Sequence, residues 1–102
     1  MEEEIQNPHP GIILKEEFLD EIGLSMTKLA ASIAVPTNRI SSIVNGLRRI
    51  SADTDLRLSK YFGLSEGYWL RLQNQFDLME AKRKSADSLI NIRPHQYEEQ
   101  SL

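Results

Sequence analysis

Apolar residues recur along this chain at helical spacing, and no segment shows the strict alternation that marks a half-buried strand. Leu14, Phe18 and Ile22 repeat every four residues between charged positions, which predicts an amphipathic first helix with these side chains facing inward. Pro10 suits the first turn of this helix, where its missing N–H is no loss, and Gly23 suits its end.

Two short helices are predicted next, on either side of a break at Val35-Pro36. Ser25 suits the N-cap of the first, and Pro36 suits the first turn of the second. Ile40 and Ile43 resume the helical period, which ends at Asn45-Gly46 because both residues tolerate a left-handed backbone. The pattern therefore predicts two short helices joined by a tight turn.

Two further helices are predicted in the second half of the chain. Ser51 is expected to cap the fourth, with Asp53 and Asp55 in its first turn, where the helix dipole favours acids. Ser65 is expected to cap the fifth. The apolar face of the fifth helix is predicted to comprise Trp69, Leu72, Phe76 and Met79. The predicted fold class is all-α, with five helices.

The size and hydrophobic content of the chain fit one folded domain. It has 102 residues, of which 40% are hydrophobic, enough for one core. We expect a flexible lead over residues 1–9, a helical domain over residues 10–84 and a partly ordered tail over residues 85–102. The acidic N-terminus and the lack of a long apolar run predict a cytoplasmic protein without a membrane partner.

The residue types give no support for an enzyme. The chain has no cysteine, which excludes disulfides, thiolate zinc sites and cysteine nucleophiles. Its two histidines each adjoin a proline and lack a companion at metal-ligand spacing, so no metal site is predicted. No serine pairs with histidine or lysine at catalytic spacing, and we expect neither catalytic residues nor a cofactor.

Charge is distributed unevenly along the chain, whose net charge is −3. Residues 1–24 carry −6, residues 25–49 carry +4 without a single acid, and residues 50–102 carry −1. Binding to nucleic acid depends on local phosphate neutralisation, so this acid-free stretch matters more than the total. Charge alone fits equally well a chance gap on a solvated surface.

The two short helices have the features of a helix-turn-helix. Ala30 permits close packing, Ala34-Val35 lies in a tight turn, and Ile40 and Ile43 supply a shared core. The remaining polar residues of the second short helix are predicted to read base edges in a DNA major groove. They are Thr37, Asn38, Arg39, Ser41 and Ser42. An ordinary helical hairpin with a polar exterior is the alternative interpretation.

Residues flanking these helices are predicted to hold DNA phosphates. Ser25 and Lys28 lie at the start of the first short helix, where backbone N–H groups and a cation favour an anion. Arg48 and Arg49 directly follow the second short helix and are expected to contact the same strand.

Several separated motifs resemble known families. Residues 24–47 look like the helix-turn-helix of Xre/Cro-type repressors, although Ala34 stands where glycine is usual and Pro36 where a capping serine is common. A narrower resemblance, to the HigA family of antitoxins, extends over about residues 8–94. It rests on His9-Pro10-Gly11, Gly23-Leu24-Ser25, Asn45-Gly46, Arg49-Ile50-Ser51-Ala52-Asp53, Tyr68-Trp69-Leu70-Arg71-Leu72-Gln73 and Ile92-Arg93-Pro94.

This resemblance implies a lambda-repressor-like five-helix bundle with a short C-terminal extension. It also implies the antitoxin of a type II toxin–antitoxin module, which represses its own promoter and neutralises a small ribonuclease toxin. Such a repressor binds its double-stranded operator as a homodimer, and we expect the fifth helix and the tail to form the interface. An acidic face on the first helix is either a toxin contact or a solvated surface. Its residues are Glu16, Glu17, Asp20 and Glu21.

Two other functions compete with this one. A free-standing repressor, either an orphan or a phage-type regulator, would use the same DNA-reading residues without a toxin partner. A protein-binding module would have lost its DNA role, and in that case Arg39→Ala would leave all activity unchanged.

Overall fold

The computed structural model describes residues 6–95, and five helices follow one another along them. Their bounds are residues 10–22 for α1, Met26–Ser32 for α2, Thr37–Val44 for α3, Ala52–Phe62 for α4 and Tyr68–Leu89 for α5. No strand occurs within residues 6–95, so the predicted all-α class with five helices is confirmed.

The start of α1 packs directly on the end of α3. The ring Nδ1 of His9 accepts a hydrogen bond from the backbone N–H of Gly11 at 2.9 Å, which caps the helix, and Pro10 follows at its first position. Gly11 is buried, and a Cβ atom there would lie 1.9 Å from the carbonyl oxygen of Ile43. Glycine is therefore required for α1 to approach α3 this closely.

The middle of α1 is wider than a regular α-helix. Pro10–Ile13 and Asp20–Ile22 are α-helical, whereas Leu14–Leu19 between them is π-helical. This segment places Leu14 and Leu19, five residues apart, in the core and leaves the side chain of Ile22 60% exposed. The expectation that Ile22 faces inward is therefore wrong, because the wider turn shifts the register of the helix's inner face.

Trp69 of α5 lies at the centre of the core. Its side chain is fully buried, and its ring lies 4.9 Å from that of Phe18 and 6.3 Å from that of Phe62 between centroids. The other buried apolar residues come from helices α1 to α4, the turn after α2 and the loop before α4. They are Leu14, Leu19, Leu29, Ala30, Ile33, Ile40, Ile43, Ile50 and Leu58. The bundle therefore holds α2 and α3 on one continuous core.

The N-terminus of α5 is capped by α4 rather than by its own segment. The buried carboxylate of Asp55 accepts hydrogen bonds from the backbone N–H groups of Gly67, Trp69 and Leu70 at 2.7, 2.8 and 3.1 Å. The expectation that Ser65 caps α5 is wrong, because Asp55 already satisfies these donors. This contact fixes α5 against α4.

Both ends of the described chain involve α5. The side-chain amide of Asn7 donates to the carbonyl oxygen of Phe76 at 3.2 Å and to a carboxylate oxygen of Glu80 at 3.0 Å. The helix continues to Leu89, past residue 84, where we placed the end of the helical domain. Several apolar side chains on this helix and just after it are exposed, namely Leu78, Leu89, Ile90 and Ile92.

Candidate nucleic-acid interface

Helices α2 and α3 are joined by a turn at residues 33–36. The backbone N–H of Val35 donates to the carbonyl oxygen of Ala30 at 3.0 Å, and Ala34 has a positive φ of 60°. Pro36 then has extended dihedrals, φ −66° and ψ 146°, at the N-cap of α3, one position before the first turn where we expected it. The turn is therefore tight, and it sets the direction in which α3 leaves.

The first turn of α3 presents polar side chains to solvent. Thr37 and Asn38 are exposed, and Ser42 is half-exposed one turn later. No side chain of these three is hydrogen-bonded to another residue within the described part of the chain. Ser41 is half-exposed, and its hydroxyl donates weakly to the carbonyl oxygen of Asn38 at 3.4 Å. Donors and acceptors on this face are thus available to a ligand.

Arg39 differs from its predicted companions because its side chain turns towards α4. Its Nη1 donates to Oδ2 of Asp53 at 2.7 Å, with Oγ1 of Thr54 at 3.5 Å, and only 27% of the side chain is exposed. Hydrogen bonds from Arg39 and Arg57 lower the pKa of Asp53 below 3.8, so this carboxylate is charged. The structure thus brings four of the five predicted base readers onto an open face and holds Arg39 at its edge.

Two of the four predicted phosphate-binding residues are engaged by other groups of the protein. The hydroxyl of Ser25 accepts a hydrogen bond from the backbone N–H of Lys28 at 3.0 Å, so it caps α2, while the side chain of Lys28 is exposed. Arg48 is exposed after α3. Arg49 is ion-paired with Asp77 of α5, although 62% of its side chain stays exposed.

Asp77 belongs to a polar network beside the loop that follows α3. The side chain of Gln73 accepts a hydrogen bond from the backbone N–H of Ile50 at 2.8 Å and donates to Asp77 at 3.0 Å. Burial acts to raise the pKa of Asp77, but hydrogen bonds from Arg49 and Gln73 outweigh it and lower this pKa below 3.8. This network fixes the backbone that carries Arg48 and Arg49.

The acidic residues of α1 form a second set of exposed side chains. Glu16, Glu17, Asp20 and Glu21 are all exposed. Lys15 neutralises Asp20 through an ion pair of 2.9 Å, so the remaining negative charge resides mainly on the three glutamates.

Other kinds of site find no support in the described residues. Among residues 6–95, no group of histidine, aspartate or glutamate side chains is arranged to hold a metal ion. None of the helices in this part of the chain is long and apolar enough to cross a membrane.

Comparison with known proteins identifies the family. Residues 14–69 match the HTH_3 family model, described as helix-turn-helix. Virulence-associated protein I of Dichelobacter nodosus is 47% identical over 75 residues, which are 74% of this chain and 69% of that protein. Antitoxin HigA of Pseudomonas aeruginosa, solved with the higBA promoter, is 36% identical with a TM-score of 0.83, over 87% of this chain and 98% of that one.

A second solved structure agrees with the first. An addiction module antidote protein of a HigA family from Coxiella burnetii is 41% identical with a TM-score of 0.83, covering 89% of this chain and all of that one. The chain belongs to the HigA family of helix-turn-helix proteins. The resemblance proposed from the sequence motifs is thus confirmed, and the chain stands among regulators and antitoxins rather than enzymes.

Three residues of this HigA-family chain were not predicted to belong to the site but contact it. Asp53, Arg57 and Asp77 each contact a residue of the helix-turn-helix or the loop after it. The spacing of Asp53 and Arg57, four residues apart on one helix, could have indicated an ion pair. Nothing local indicated Asp77, whose partner Arg49 lies 28 residues earlier in the chain.

Proposed function

We propose that this protein binds an operator at its own promoter as a homodimer, represses transcription there, and neutralises a small ribonuclease toxin. The observation that carries the proposal is the open polar face at the start of α3. Thr37 and Asn38 are exposed on a helix that a tight turn and a shared core hold in place. The similar antitoxin HigA of Pseudomonas aeruginosa, solved with the higBA promoter, supports DNA binding as the function.

The proposed reading mode places α3 in the major groove. The amide of Asn38 offers an N–H donor beside a carbonyl acceptor, the pair that matches the edge of adenine. Arg39 retains its Nε and Nη2 donors for guanine or for phosphate. Thr37, Ser41 and Ser42 supply hydroxyl groups of shorter reach along the same face.

Positive groups beside α3 would hold the DNA backbone. Lys28 and Arg48 are exposed and available for phosphate contacts, as is the N-terminus of α2 next to Ser25. Arg49 would add a contact through the exposed part of its guanidinium group while Asp77 holds the other part. These contacts would set affinity and orientation, whereas α3 would set sequence preference.

Single substitutions test which residues read base edges and which bind phosphates. Asn38→Ala should weaken binding to the operator by about 1–3 kcal/mol and leave binding to scrambled DNA unchanged. Arg48→Ala should weaken binding to both DNAs and reduce the salt slope by roughly one unit. Equal weakening of both DNAs by Asn38→Ala would contradict its role as a base reader.

Dimerisation follows from how little DNA one α3 contacts. Two copies on a near-palindromic site would place their reading helices about 34 Å apart. The exposed apolar residues Leu89, Ile90 and Ile92 at the end of α5 are our choice for the interface, because large exposed apolar groups in a small domain favour association. Sedimentation should show a dimer for the wild type, and Ile90→Asp should shift it towards monomer and weaken operator binding.

Toxin neutralisation is tested by co-expression with the gene adjacent to this one. The glutamates of α1 complement a basic ribonuclease, since opposite charges orient and speed encounter. Reversing Glu17 and Glu21 to lysine should impair rescue of growth, whereas reversing the exposed Glu66, outside α1, should not. A wild-type protein that neither binds nor neutralises the neighbouring product would favour the free-standing repressor instead.

A further inference from the structure

Asp53 links the two helices of the helix-turn-helix through two arginines. Its Oδ2 accepts from Nη1 of Arg39 at 2.7 Å and from Nε of Arg57 at 3.0 Å. Nη1 of Arg57 also donates to the carbonyl oxygen of Ile33, the residue after α2, at 2.9 Å. A chain of contacts thus runs from the end of α2, through α4, to the first turn of α3.

We propose that Asp53 is a positioning residue for sequence reading, which holds the guanidinium group of Arg39 in one orientation before DNA arrives. This inference rests on the proposed function and adds a residue that lies outside the reading helix. Arginine has many rotamers, and fixing one of them in advance reduces the freedom lost on binding. Asp53 engages only Nη1, so Nη2 and Nε of Arg39 stay available for a ligand.

The charges around Asp53 give this role a distinctive signature. One carboxylate lies between two guanidinium groups, so it cancels part of the attraction that they exert on phosphates. Asp53→Asn would remove this neutralising charge and release Arg39 from its orientation. Binding to random DNA should then strengthen while preference for the operator declines, and these opposite changes distinguish positioning from a loss of folding.

The experiment measures binding of the full chain to operator and scrambled DNA across a salt series. We expect Asp53→Asn to reduce the ratio of the two affinities by about three- to tenfold, the range for one side chain that must be immobilised on binding. The salt slope should become steeper. Glu66→Gln, an equal change of charge at an exposed residue between α4 and α5, should leave the ratio unchanged.

A second variant and a second measurement guard against misfolding. Asp53→Glu keeps the charge but displaces the carboxylate by one methylene, so we expect the wild-type salt slope with a reduced affinity ratio. NMR relaxation of the Nε–H group of Arg39 should show an ordered side chain in the free wild type and a mobile one in Asp53→Asn. An Arg39 side chain equally ordered in both proteins would overturn the inference.

The possible outcomes separate this inference from the function on which it rests. Equal strengthening of both DNAs by Asp53→Asn would mean that Asp53 only screens charge, and equal weakening would mean that it only supports the fold. Either result overturns the positioning role while the wild type still prefers its operator. A wild type without any preference would refute the proposed function, and the role of Asp53 with it.

Discussion

The contact between Gly11 and α3 should reverse the usual effect of replacing a helical glycine by alanine on the stability of the protein. Replacing glycine by alanine inside a helix normally stabilises a protein by about 0.4–1 kcal/mol. Here the added Cβ would lie 1.9 Å from the carbonyl oxygen and 2.7 Å from the carbonyl carbon of Ile43, and 2.9 Å from Cα of Val44. Gly11→Ala is therefore expected to destabilise the protein.

The magnitude follows from the overlap. Real Cβ atoms do not approach closer than 3.0 Å, so α1 and α3 would have to separate by roughly 1 Å. The colliding atoms belong to the main chain, so no side-chain rotation relieves the contact. Overpacking of a core costs about 1–3 kcal/mol, and we expect the upper end of that range here. After the gain in helix propensity, the net loss should be about 2 kcal/mol.

Urea unfolding at fixed protein concentration measures this change, because concentration affects the apparent stability of a protein that associates. Ile12→Ala, at a half-exposed position in the same turn, serves as the control and should cost less than about 1 kcal/mol. If Gly11→Ala is as stable as the wild type or more stable, the close approach of α1 to α3 is wrong.

Three further predictions concern the residues that shape the bundle. Asp55→Asn should lower the free energy of unfolding in urea by about 2–4 kcal/mol, since a donor would replace one of the two oxygens that accept from three backbone N–H groups; an unchanged midpoint would contradict this. Ala34→Gly should raise the free energy of unfolding by about 0.5–1 kcal/mol, because the positive φ of 60° strains alanine. A loss of stability would refute that strain. Burial lowers the pKa of His9 below 6.5, although the charge of Asp77 acts to raise it. The contribution of neutral His9 to stability is therefore complete above pH 6.5 and is lost as the pH falls through the lower pKa of the folded state. The urea midpoint of His9→Asn should therefore change less between pH 7.5 and pH 5 than that of the wild type. If the two proteins show the same pH dependence, His9 is not the source of that dependence.

Helix limits were predictable because the signals that set them are local. Ser25 and Ser51 cap α2 and α4 as expected, and Gly23 and Gly63 end α1 and α4 with positive φ. Each of these signals involves residues within one turn of the helix end. Such contacts are encoded within a few positions of sequence, whatever the rest of the chain does.

The errors arise where distant residues decide the outcome. The π-helical turn in α1 gives Leu19 the place predicted for Ile22, and no four-residue pattern reveals it. Asp55 takes the capping role predicted for Ser65 through contacts 12 to 15 residues away in the chain. Sequence periodicity carries no information about such contacts between helices.

The candidate interface likewise has features that local sequence predicts and features that depend on distant residues. Thr37 and Asn38 could be placed on an open face from helical spacing alone. The ion pairs of Arg39 and Arg49 could not, because their partners lie 14 and 28 residues further along the chain. Counting the charges of residues 25–49 therefore overestimated the number of cations in this segment that are unpaired, since Arg39 and Arg49 each have a carboxylate partner.

The central claim, specific binding to the protein's own promoter, is tested most directly by fluorescence anisotropy. The purified protein is titrated against its own upstream DNA and against a scrambled sequence of equal composition, at several salt concentrations. We predict much tighter binding to the upstream DNA, with affinities that fall as salt rises because phosphate contacts contribute to both. Equally weak binding to the two DNAs at every salt concentration would contradict the account.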